Sequence, residues 1–436
     1  MSKKLYLTIV FIGISCISFA QEKLTLQQAI TIALQNNYDI KISKNDIDIA
    51  KNNATIGNAG MLPNVQGSYT NGGSLQNTTQ TPANGPDKVI RGARSTNNNL
   101  GADLNWTIFN GFTMFANYDR LKELQKQGEL NSRLVILNTV SDVISSYYDI
   151  VRQQQLVAAA DSSMDVSVLR SKIAKIKLQL GKGSKLDLLA AQVDYNSDTS
   201  NYLQTKNTLQ LAKVRLNQLL VRTIDTDFTV DNVITLDATL TYNQLAELTE
   251  KQNPNVQNAF INQKIATLNL KSIRGARYPV VSLNSGYSRA NSTSPTGFNQ
   301  KFEANGLTYG ISAKINIFDG FLQRQQERNA KIEIDNSLLN LNKTKIDVNA
   351  QLRTAFQNYR TYLDLINLEQ RNLDIAKENL DITLAKYRLG SIAPLELREA
   401  QRNEIDAKNR FIEMQYQTKI AETTLKEISG TINLSY

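Results

Sequence analysis

The sequence predicts a mainly α-helical protein with a transmembrane β part, and two observations indicate this fold class. Residues 112–180 form a stretch of 69 residues that contains no proline and only one glycine, Gly128. Residues 321–389 form a second stretch of the same length, without proline or glycine. At about 1.5 Å per residue, each stretch would be a helix roughly 100 Å long, which no ordinary globular core accommodates.

The two stretches belong to an internal repeat. Residues 109–111 read Phe-Asn-Gly before the first stretch, and residues 318–320 read Phe-Asp-Gly before the second, 209 residues later. A Leu-Gly pair ends each stretch, at 180–181 and at 389–390, again 209 residues apart. A constant offset at both ends indicates duplication.

The repeat organises the whole chain. We predict a leader at 1–20, a first repeat at 21–221, a connector at 222–240 and a second repeat at 241–436. Each repeat contains short helices, a β-hairpin and a long helical hairpin. The β-hairpins are expected at about 63–109 and about 279–318, and the helical hairpins at 112–220 and 321–428.

The N-terminus has the pattern of an export signal. Lys3 and Lys4 precede an apolar run over residues 5–19, and Ser-Phe-Ala precedes Gln21, which predicts cleavage after Ala20. Lipid attachment at Cys16 is the alternative, although the preceding Gly-Ile-Ser matches that signal poorly. Beyond the leader no run approaches 18 apolar residues, so a membrane-embedded mature chain would cross the bilayer as strands.

Composition excludes several kinds of chemistry. The chain has no histidine, and its single cysteine lies in the leader. A Ser-His-Asp triad, a Cys-His dyad and histidine metal ligands are therefore excluded. The net charge of +9 comes from basic residues interleaved with acidic ones along the helices. Because the basic residues form no block, we expect no nucleic-acid partner. We also expect no cofactor and no required metal.

Alternating apolar and polar residues immediately precede both Phe-Asn/Asp-Gly landmarks. Such period-2 runs of 9 to 11 residues suit a tilted, bilayer-spanning strand, although a soluble hairpin with one face on a core gives the same pattern. The predicted membrane-facing residues are Leu104, Trp106, Ile108, Tyr309, Ile311, Ile315 and Ile317. Polar, glycine-rich residues at 70–98 and 288–306 are expected to form mobile, exposed loops.

Two hairpins supply four strands, which cannot close a barrel. Open strand edges are not tolerated in lipid, so the missing strands must come from other copies of the chain. Eight strands would need a dimer and 12 a trimer, and the larger barrel has room for an aqueous lumen.

The long helices show coiled-coil seams, which require a partner helix along their length. The first seam steps by three and four residues through Leu137, Val140, Ile144, Tyr147 and Val151, and the second through Leu352, Phe356, Tyr359, Leu363 and Ile366. A second helix follows each glycine turn, at 186–220 and at 395–428, so each repeat should contain an antiparallel helical hairpin.

The ordered, duplicated motifs resemble the TolC family of outer membrane efflux proteins. They are Leu-Thr-Leu-Gln-Gln-Ala at 24–29, the strand ends at 104–111 and 315–320, and the turns at 180–187 and 387–396. The resemblance implies a homotrimer with a 12-stranded outer-membrane β-barrel and a periplasmic α-barrel built from the helical hairpins. It implies a passive conduit for efflux or secretion from a Gram-negative cell. The implied partners are a periplasmic adaptor protein, an inner-membrane transporter and outer membrane lipid.

The same resemblance suggests functional residues at the periplasmic tip. It implies an acidic ring or gate at Asp187, Glu396 and Glu399, with Tyr387 as a constriction contact. Tip turns at Gly181, Gly183, Gly390 and Ser391 would contact the adaptor. Ile392 stands where the family can have an arginine that bonds across the closed tip. Acids in the first turn of a helix also stabilise that helix, so Glu396 and Glu399 have a local structural explanation as well.

Two other functions are compatible with parts of the pattern. A periplasmic coiled-coil adaptor or scaffold without a pore would share the leader and the helical hairpins, but it would not need the amphipathic strands. An enzyme using carboxylates has little support, because no acidic pair lies in a recognisable pocket pattern. We therefore predict that the protein is not an enzyme.

Overall fold

The computed structural model describes residues 22–432, so the predicted leader, with Cys16 and Ala20, lies outside the described residues. The elements fall into long helical hairpins, short helices and strands. In chain order they are β1 (Glu22–Lys23), α1 (Leu26–Asn36), α2 (Tyr38–Asn53), β2 (Asn64–Gln80), β3 (Lys88–Asn110), α3 (Thr113–Gln179), α4 (Lys185–Leu220), β4 (Phe228–Thr229), α5 (Tyr242–Gln252), α6 (Pro254–Gly275), β5 (Val280–Thr293), β6 (Lys301–Lys314), α7 (Leu322–Leu389) and α8 (Pro394–Ile428).

The two long helices are confirmed. α3 contains 67 residues and α7 contains 68, and each is followed, after a short turn, by the second helix of a hairpin. Salt bridges join the two helices of each hairpin, between Arg170 and Asp194 in the first and between Arg410 and Glu369 in the second. One 18-residue window of α3 has a mean hydropathy of 1.2, but half of it is buried inside the protein, as in a core helix.

The described chain forms two compact units, and both draw residues from both repeats. The first unit combines residues up to 40 with 136–248 and with residues from 351 onwards. The second combines residues 41–135 with 249–350. Because the break falls inside α3 and inside α7, each long helix contributes to both units.

The first unit has its core along the predicted seam of α3. All five seam residues are buried, and they pack with α1, α4 and Phe228 of β4 in one apolar cluster. Tyr147 adds a polar link, because its hydroxyl donates to Leu24 O at 3.3 Å and accepts from Asp231 N–H at 3.3 Å. The seam of α3 therefore anchors both the start of the described chain and the connector. In α7, Leu352 and Tyr359 are fully buried, and the other three seam residues are partly buried.

The second unit contains a four-stranded antiparallel sheet in the order β2-β3-β5-β6. The hairpin of each repeat is intact, and β3 pairs with β5 to join the two hairpins. β2 and β6 are the outer strands, and each has only one strand partner in the described sheet.

The predicted long loops are wrong. β2 and β3 remain paired as far as Gln80 and Lys88, and β5 and β6 as far as Thr293 and Lys301, so the loops shrink to 81–87 and 294–300. The strand ends beyond the apolar rows are mainly polar on both faces, which removes the alternation that marks a strand in the sequence. Backbone hydrogen bonds continue without it, since they do not depend on side-chain polarity.

The predicted end of the last strand is also wrong, because Ile315 and Ile317 lie beyond Lys314, where β6 ends. Lys314 pairs with Val280, the first residue of β5. Pro279 precedes Val280 and has no backbone N–H to continue the ladder. Ile315 and Ile317 are exposed residues between the strand and α7.

Both strand-to-helix junctions have the same side-chain cap and the same left-handed glycine. Asn110 Oδ1 accepts from Met114 N–H at 3.0 Å, and Asp319 Oδ2 accepts from Gln323 N–H at 2.9 Å. The glycine of each landmark is left-handed, with φ of 68°. At Gly111 a side chain is also excluded by space, because a Cβ there would lie 1.9 Å from Gly275 O.

Candidate functional site

The two helical tips end on matching left-handed glycines. Gly181 has φ of 68° and Gly390 has φ of 80°, which confirms the predicted helix stops. In each turn the residue after the glycine donates its N–H five residues back, from Lys182 to Lys177 O and from Ser391 to Lys386 O. Ser391 Oγ also donates to Lys386 O at 2.9 Å. Gly183 leaves little room for a side chain, because a Cβ would lie 3.0 Å from Lys177 Cβ.

The first carboxylate after each turn caps its own helix. Asp187 accepts from Ser184 N–H at 3.2 Å, and Ser184 Oγ accepts in return from Asp187 N–H at 3.0 Å. Glu396, at the equivalent position of the second repeat, accepts from Ala393 N–H at 3.3 Å. Ala393 has no side-chain acceptor, so this cap is only half of the reciprocal pair. The local structural explanation therefore accounts for Asp187 and Glu396.

Glu399 has a different environment from these caps. It lies almost one turn further along α8 and is exposed. Among the residues 22–432, no group of three or more Asp, Glu, His or Cys side chains is arranged to hold a metal ion.

Tyr387 is buried inside its own protomer. Its ring packs in an apolar cluster with Leu380, Leu397 and Ala400, with Ile392 at the edge of that cluster. Lys177 of the other hairpin places its Nζ 4.3 Å from the ring centroid and donates to Tyr387 O at 3.3 Å. Burial raises the pKa of the Tyr387 phenol. The side chain is 1% exposed, so it supports the tip from within the protomer.

A buried polar cluster lies between the two hairpins, and the sequence reasoning missed it. Arg170 of α3, which is 2% exposed, pairs with Asp194 of α4. Arg398 of α8 binds Asp198 of α4 through Nη1 at 2.9 Å and Nη2 at 3.3 Å, in a bidentate geometry. Asp194 also lies 3.6 Å from Arg398 Nε. We call these four residues, together with Gln401, the interhairpin cluster.

Gln401 connects the cluster to α3. Its Nε2 donates to Ser163 O at 2.8 Å, to Ser167 Oγ at 3.0 Å and to Asp198 Oδ2 at 3.2 Å. Ser167 in turn donates to Asp198. Gln401 and Ser167 are buried, so removing a partner of either side chain would leave part of its hydrogen-bonding capacity unsatisfied. The cluster therefore joins α8 of the second repeat to α3 and α4 of the first.

A partial sequence signal for the cluster exists. Asp194 and Asp198 are four residues apart, and Arg398 and Gln401 are three apart, so each pair lies on one helix face. No sequence pattern shows that the two faces meet, because α4 and α8 belong to different repeats. The contact depends on the packing of the hairpins.

The tips also expose large apolar side chains. Leu180 and Leu389 precede the turn glycines, and Leu186 and Leu395 follow them at matching repeat positions. All four are exposed, by 66% or more of their surface. Large apolar residues in such positions indicate an interaction surface.

The sheet of the second unit separates apolar from polar side chains. Leu104, Trp106, Tyr309 and Ile311 lie on one face, because the register places them in alternate positions of paired strands. Trp106 Nε1 donates to Met61 O at 2.9 Å, which satisfies its indole N–H. Ile108 lies at the irregularity between Thr107 and Phe109. The opposite face contains small and polar residues, namely Asn64, Gln66, Asp103, Asn105, Asn284, Gly286, Thr308 and Gly310.

Comparison with known proteins matches these features to one family. The model of the outer membrane efflux protein family matches residues 29–221 and 245–431, most of the chain. The chain belongs to the outer membrane efflux protein family. The protein is therefore an outer membrane channel protein of a Gram-negative bacterium, and the interpretation as a poreless adaptor or scaffold is wrong.

Related proteins match over most of their lengths. The protease secretion protein PrtF of Dickeya chrysanthemi is 20% identical over 99% of this chain and 93% of its own. The cation efflux protein CusC of Escherichia coli is 24% identical over 92% of this chain and 85% of its own. TolC of Escherichia coli is 20% identical over 70% of this chain and 63% of its own.

Solved channels share the fold. The Campylobacter jejuni CmeC channel superposes with a TM-score of 0.78 at 18% identity, covering 94% of this chain and 87% of its own. Vibrio cholerae VceC gives 0.76 at 15% identity, covering 93% and 96%. These channels confirm the TolC-like fold class, with long helices and a β-barrel part.

We predict that the interhairpin cluster stabilises the fold through paired charges. Asp198→Ala leaves Arg398 without its bidentate partner and should lower the free energy of unfolding by about 2 kcal/mol, less than for a fully buried pair because both groups retain some exposure. Asp198→Leu combined with Arg398→Met should recover at least half of the loss, since no charge remains unpaired. Guanidinium denaturation in detergent measures the free energy of unfolding of each variant.

Asp161→Ala, at an exposed position of α3, serves as the control and should change stability by no more than about 0.5 kcal/mol. A double variant no more stable than Asp198→Ala would contradict the prediction.

Proposed function

We propose that this channel protein works as a homotrimer whose three sheets close one 12-stranded barrel. The observation that supports this is the sheet with two unpaired edges. Within the described chain β2 and β6 each pair on one side only, while the apolar face makes the sheet suited to lipid. An unpaired strand edge in lipid leaves backbone donors and acceptors without partners, at several kcal/mol for each group.

Three copies satisfy the edges and also leave a lumen. In a closed ring, β6 of each copy pairs with β2 of the next, so the contact is head-to-tail. Two copies would give eight strands, whose interior is just filled by side chains. Three copies give 12 strands, and the polar face of each sheet then lines a water-filled passage.

Engineered cysteines can test the contact between copies. The only natural cysteine lies in the predicted leader, so it would not compete with the engineered cysteines once the leader is removed. β2 and β6 are separated by two strands in the sheet, roughly 14 Å at about 4.8 Å per strand, which is too far for a disulfide within one chain. Gln66→Cys combined in turn with Gly306→Cys, Thr308→Cys or Gly310→Cys should give crosslinked dimers and trimers of the chain in at least one register.

The size of the largest product decides the stoichiometry. Gly286→Cys on the inner strand β5, paired with Gln66→Cys, serves as the control and should not crosslink chains. A ladder that stops at two chains, or the absence of any crosslink in all three registers, would contradict the trimer.

We further propose that the helical tip is the gate of the conduit. The interhairpin cluster and the packing of Tyr387 hold the second hairpin against the first within one protomer. Ile392 lies at the edge of the same apolar cluster, in place of the arginine that the family can have there. In this chain the tip contacts are therefore apolar at Ile392, and the charged contact lies further from the turn, at Arg398.

Glu396 and Glu399 are proposed as the charged ring of this gate, with Asp187. Both glutamates are exposed, and three copies around an axis would place several carboxylates near one opening. The cap at Glu396 uses only one of the two carboxylate oxygens. The cap and the ring are compatible functions of one side chain.

Charge-neutral variants should separate these two functions. Glu396→Gln keeps an oxygen that can accept from Ala393 N–H, so the helix start is preserved while the charge is lost. Glu396→Gln with Glu399→Gln should lower the cation-to-anion permeability ratio, measured from the reversal potential in a salt gradient across a planar bilayer. Asp87→Asn, in the 81–87 loop between β2 and β3, is the control. An unchanged ratio in the double variant would exclude the ring.

The exposed leucines at the turns are proposed as the docking surface for the periplasmic adaptor, together with the backbone at Gly181, Gly183, Gly390 and Ser391. The hairpins leave four leucine side chains exposed, namely Leu180, Leu186, Leu389 and Leu395. An adaptor that ends in an apolar helical hairpin would cover them, and the glycines allow its side chains to approach the backbone.

We predict that removing the apolar contact weakens docking without affecting the channel. Leu389→Ser with Leu395→Ser should reduce co-purification of a tagged periplasmic adaptor from the same cell at least tenfold. The reason is that the contact loses two large apolar side chains that docking would bury. Insertion and conductance should be unchanged. Leu75→Ser, at an equally exposed leucine in β2, is the control. Full adaptor recovery with the double variant would contradict the docking surface.

The conduit is proposed to be passive and to receive its cargo from an inner-membrane transporter through the adaptor. Three relatives match this chain over most of its length, and their names refer to different cargoes, namely protease secretion, cation efflux and toluene efflux. Such different cargoes in one architecture indicate that the partner transporter selects the cargo. The protein itself would supply the passage and the gate, without a catalytic step.

A further inference from the structure

The apolar face of the sheet changes character at a defined height. Three consecutive rows of paired residues on this face are mainly apolar or aromatic, as expected for contact with lipid. These rows are Trp106–Leu283–Ile311, Val65–Leu104–Ser285–Tyr309 and Gly67–Ala102–Tyr287–Leu307. The next row towards the loops still contains Tyr69 and Leu100, but its third member is Arg289.

Basic residues continue on the same face above Arg289. Lys301 lies six residues before Leu307 in β6, and Arg94 lies six residues before Leu100 in β3. An even spacing along a strand keeps side chains on one face. Arg94, Arg289 and Lys301 are all exposed. The described residues of these rows contain one acid, Glu303, which pairs with Lys301 at 2.5 Å, so the face has a net positive charge at this height.

The opposite face of the same rows is uncharged. Its members are Ser68, Gly101, Ser288 and Gly306 in one row, Thr70, Asn99, Ala290 and Ala304 in the next, and Gly72, Asn97, Ser292 and Phe302 above them. General solubility of the strand ends would not require this asymmetry, because both faces lie beyond the apolar rows. Within these rows the positive charge lies on the face that contacts lipid further down.

We propose that Arg94, Arg289 and Lys301 form a binding site for the phosphate groups of anionic lipid in the outer leaflet. Arginine matches phosphate oxygens through two parallel N–H groups, and both side-chain types extend along an apolar surface to reach headgroups. Strand geometry separates the Cα atoms of Arg289 and Lys301 by roughly 14 Å, and those of Lys301 and Arg94 by roughly 12 Å. This spread fits several phosphates of a large headgroup or of neighbouring lipids, and it does not suit one free ion.

The inference rests on the outer-membrane localisation of the family and on the apolar face, and it is independent of the gate. A failure here would therefore leave conductance and the tip experiments unchanged. Conversely, a loss of ion conduction in all variants would contradict the proposed conduit function, and it would not bear on this lipid site.

The test measures thermal unfolding of the purified protein in neutral detergent during titration with four probes. These are a diphosphorylated glycolipid, phosphatidylglycerol, zwitterionic phosphatidylcholine and inorganic phosphate. A ligand that binds only the folded state raises the unfolding temperature. The two anionic lipids should raise it, while phosphatidylcholine and inorganic phosphate at equal phosphate concentration should not. The effect should weaken in high salt.

Variants assign the effect to the three side chains. The triple variant R94Q/R289Q/K301Q should weaken the apparent affinity for the anionic lipids at least about tenfold. Lys314→Gln, on the opposite face of β6, should leave it unchanged. Glu303→Gln removes the one acid that the described residues place on this face and should strengthen binding, and this variant keeps the proposal testable if the triple variant does not insert.

Three outcomes would overturn the proposal. Equal affinity of the triple variant and the unmodified protein would exclude these residues. An equal temperature shift with phosphatidylcholine would show general lipid solvation. An equal shift with inorganic phosphate would indicate a free-anion site without lipid recognition.

Discussion

The rest of the structure depends on one constraint, which is that backbone N–H and C=O groups in lipid must be paired with one another. In the described residues this sheet has only four strands, and its outer strands β2 and β6 each have one edge without a strand partner. The sheet is therefore incomplete in a single copy. Its apolar face, its polar face and its open edges are all features of a barrel wall. The constraint does not apply to the long helices in the same way, because an α-helix pairs its backbone groups within itself.

Duplication explains why the two repeats have the same local structure at their strand-to-helix junctions and at their helical tips. Both landmarks place a polar cap and a left-handed glycine where a strand passes into a long helix, at Asn110–Gly111 and at Asp319–Gly320. Both tips use the same glycine turn, and a carboxylate caps the following helix. The repeats diverge where they meet each other. Arg398 and Gln401 of the second repeat bind Asp198 of the first, and the equivalent cluster cannot be formed twice because it lies between the two hairpins.

Sequence reasoning was accurate where one element determines its own conformation. The absence of proline predicted α3 and α7 nearly to the residue, and the seam from Leu137 to Val151 predicted the buried face of α3. It was wrong where pairing extends beyond the apolar pattern, as in the strand ends up to Gln80 and Lys88, and where a proline ends a partner strand, as before Val280. At the tip it named Asp187, Glu396 and Tyr387 through family resemblance. It did not find Asp198 and Arg398, whose contact joins positions 200 residues apart.

By itself, the sequence determined the duplicated plan, the length of the helices, the position of the glycine turns and the amphipathic strands, because these follow from local periodicity and from residues that restrict the backbone. Only the tertiary structure decided which helix faces meet and how far the strands remain paired. Those features depend on hydrogen bonds and ion pairs between distant segments. Such contacts form only after the hairpins have packed, so no local pattern in the sequence records them.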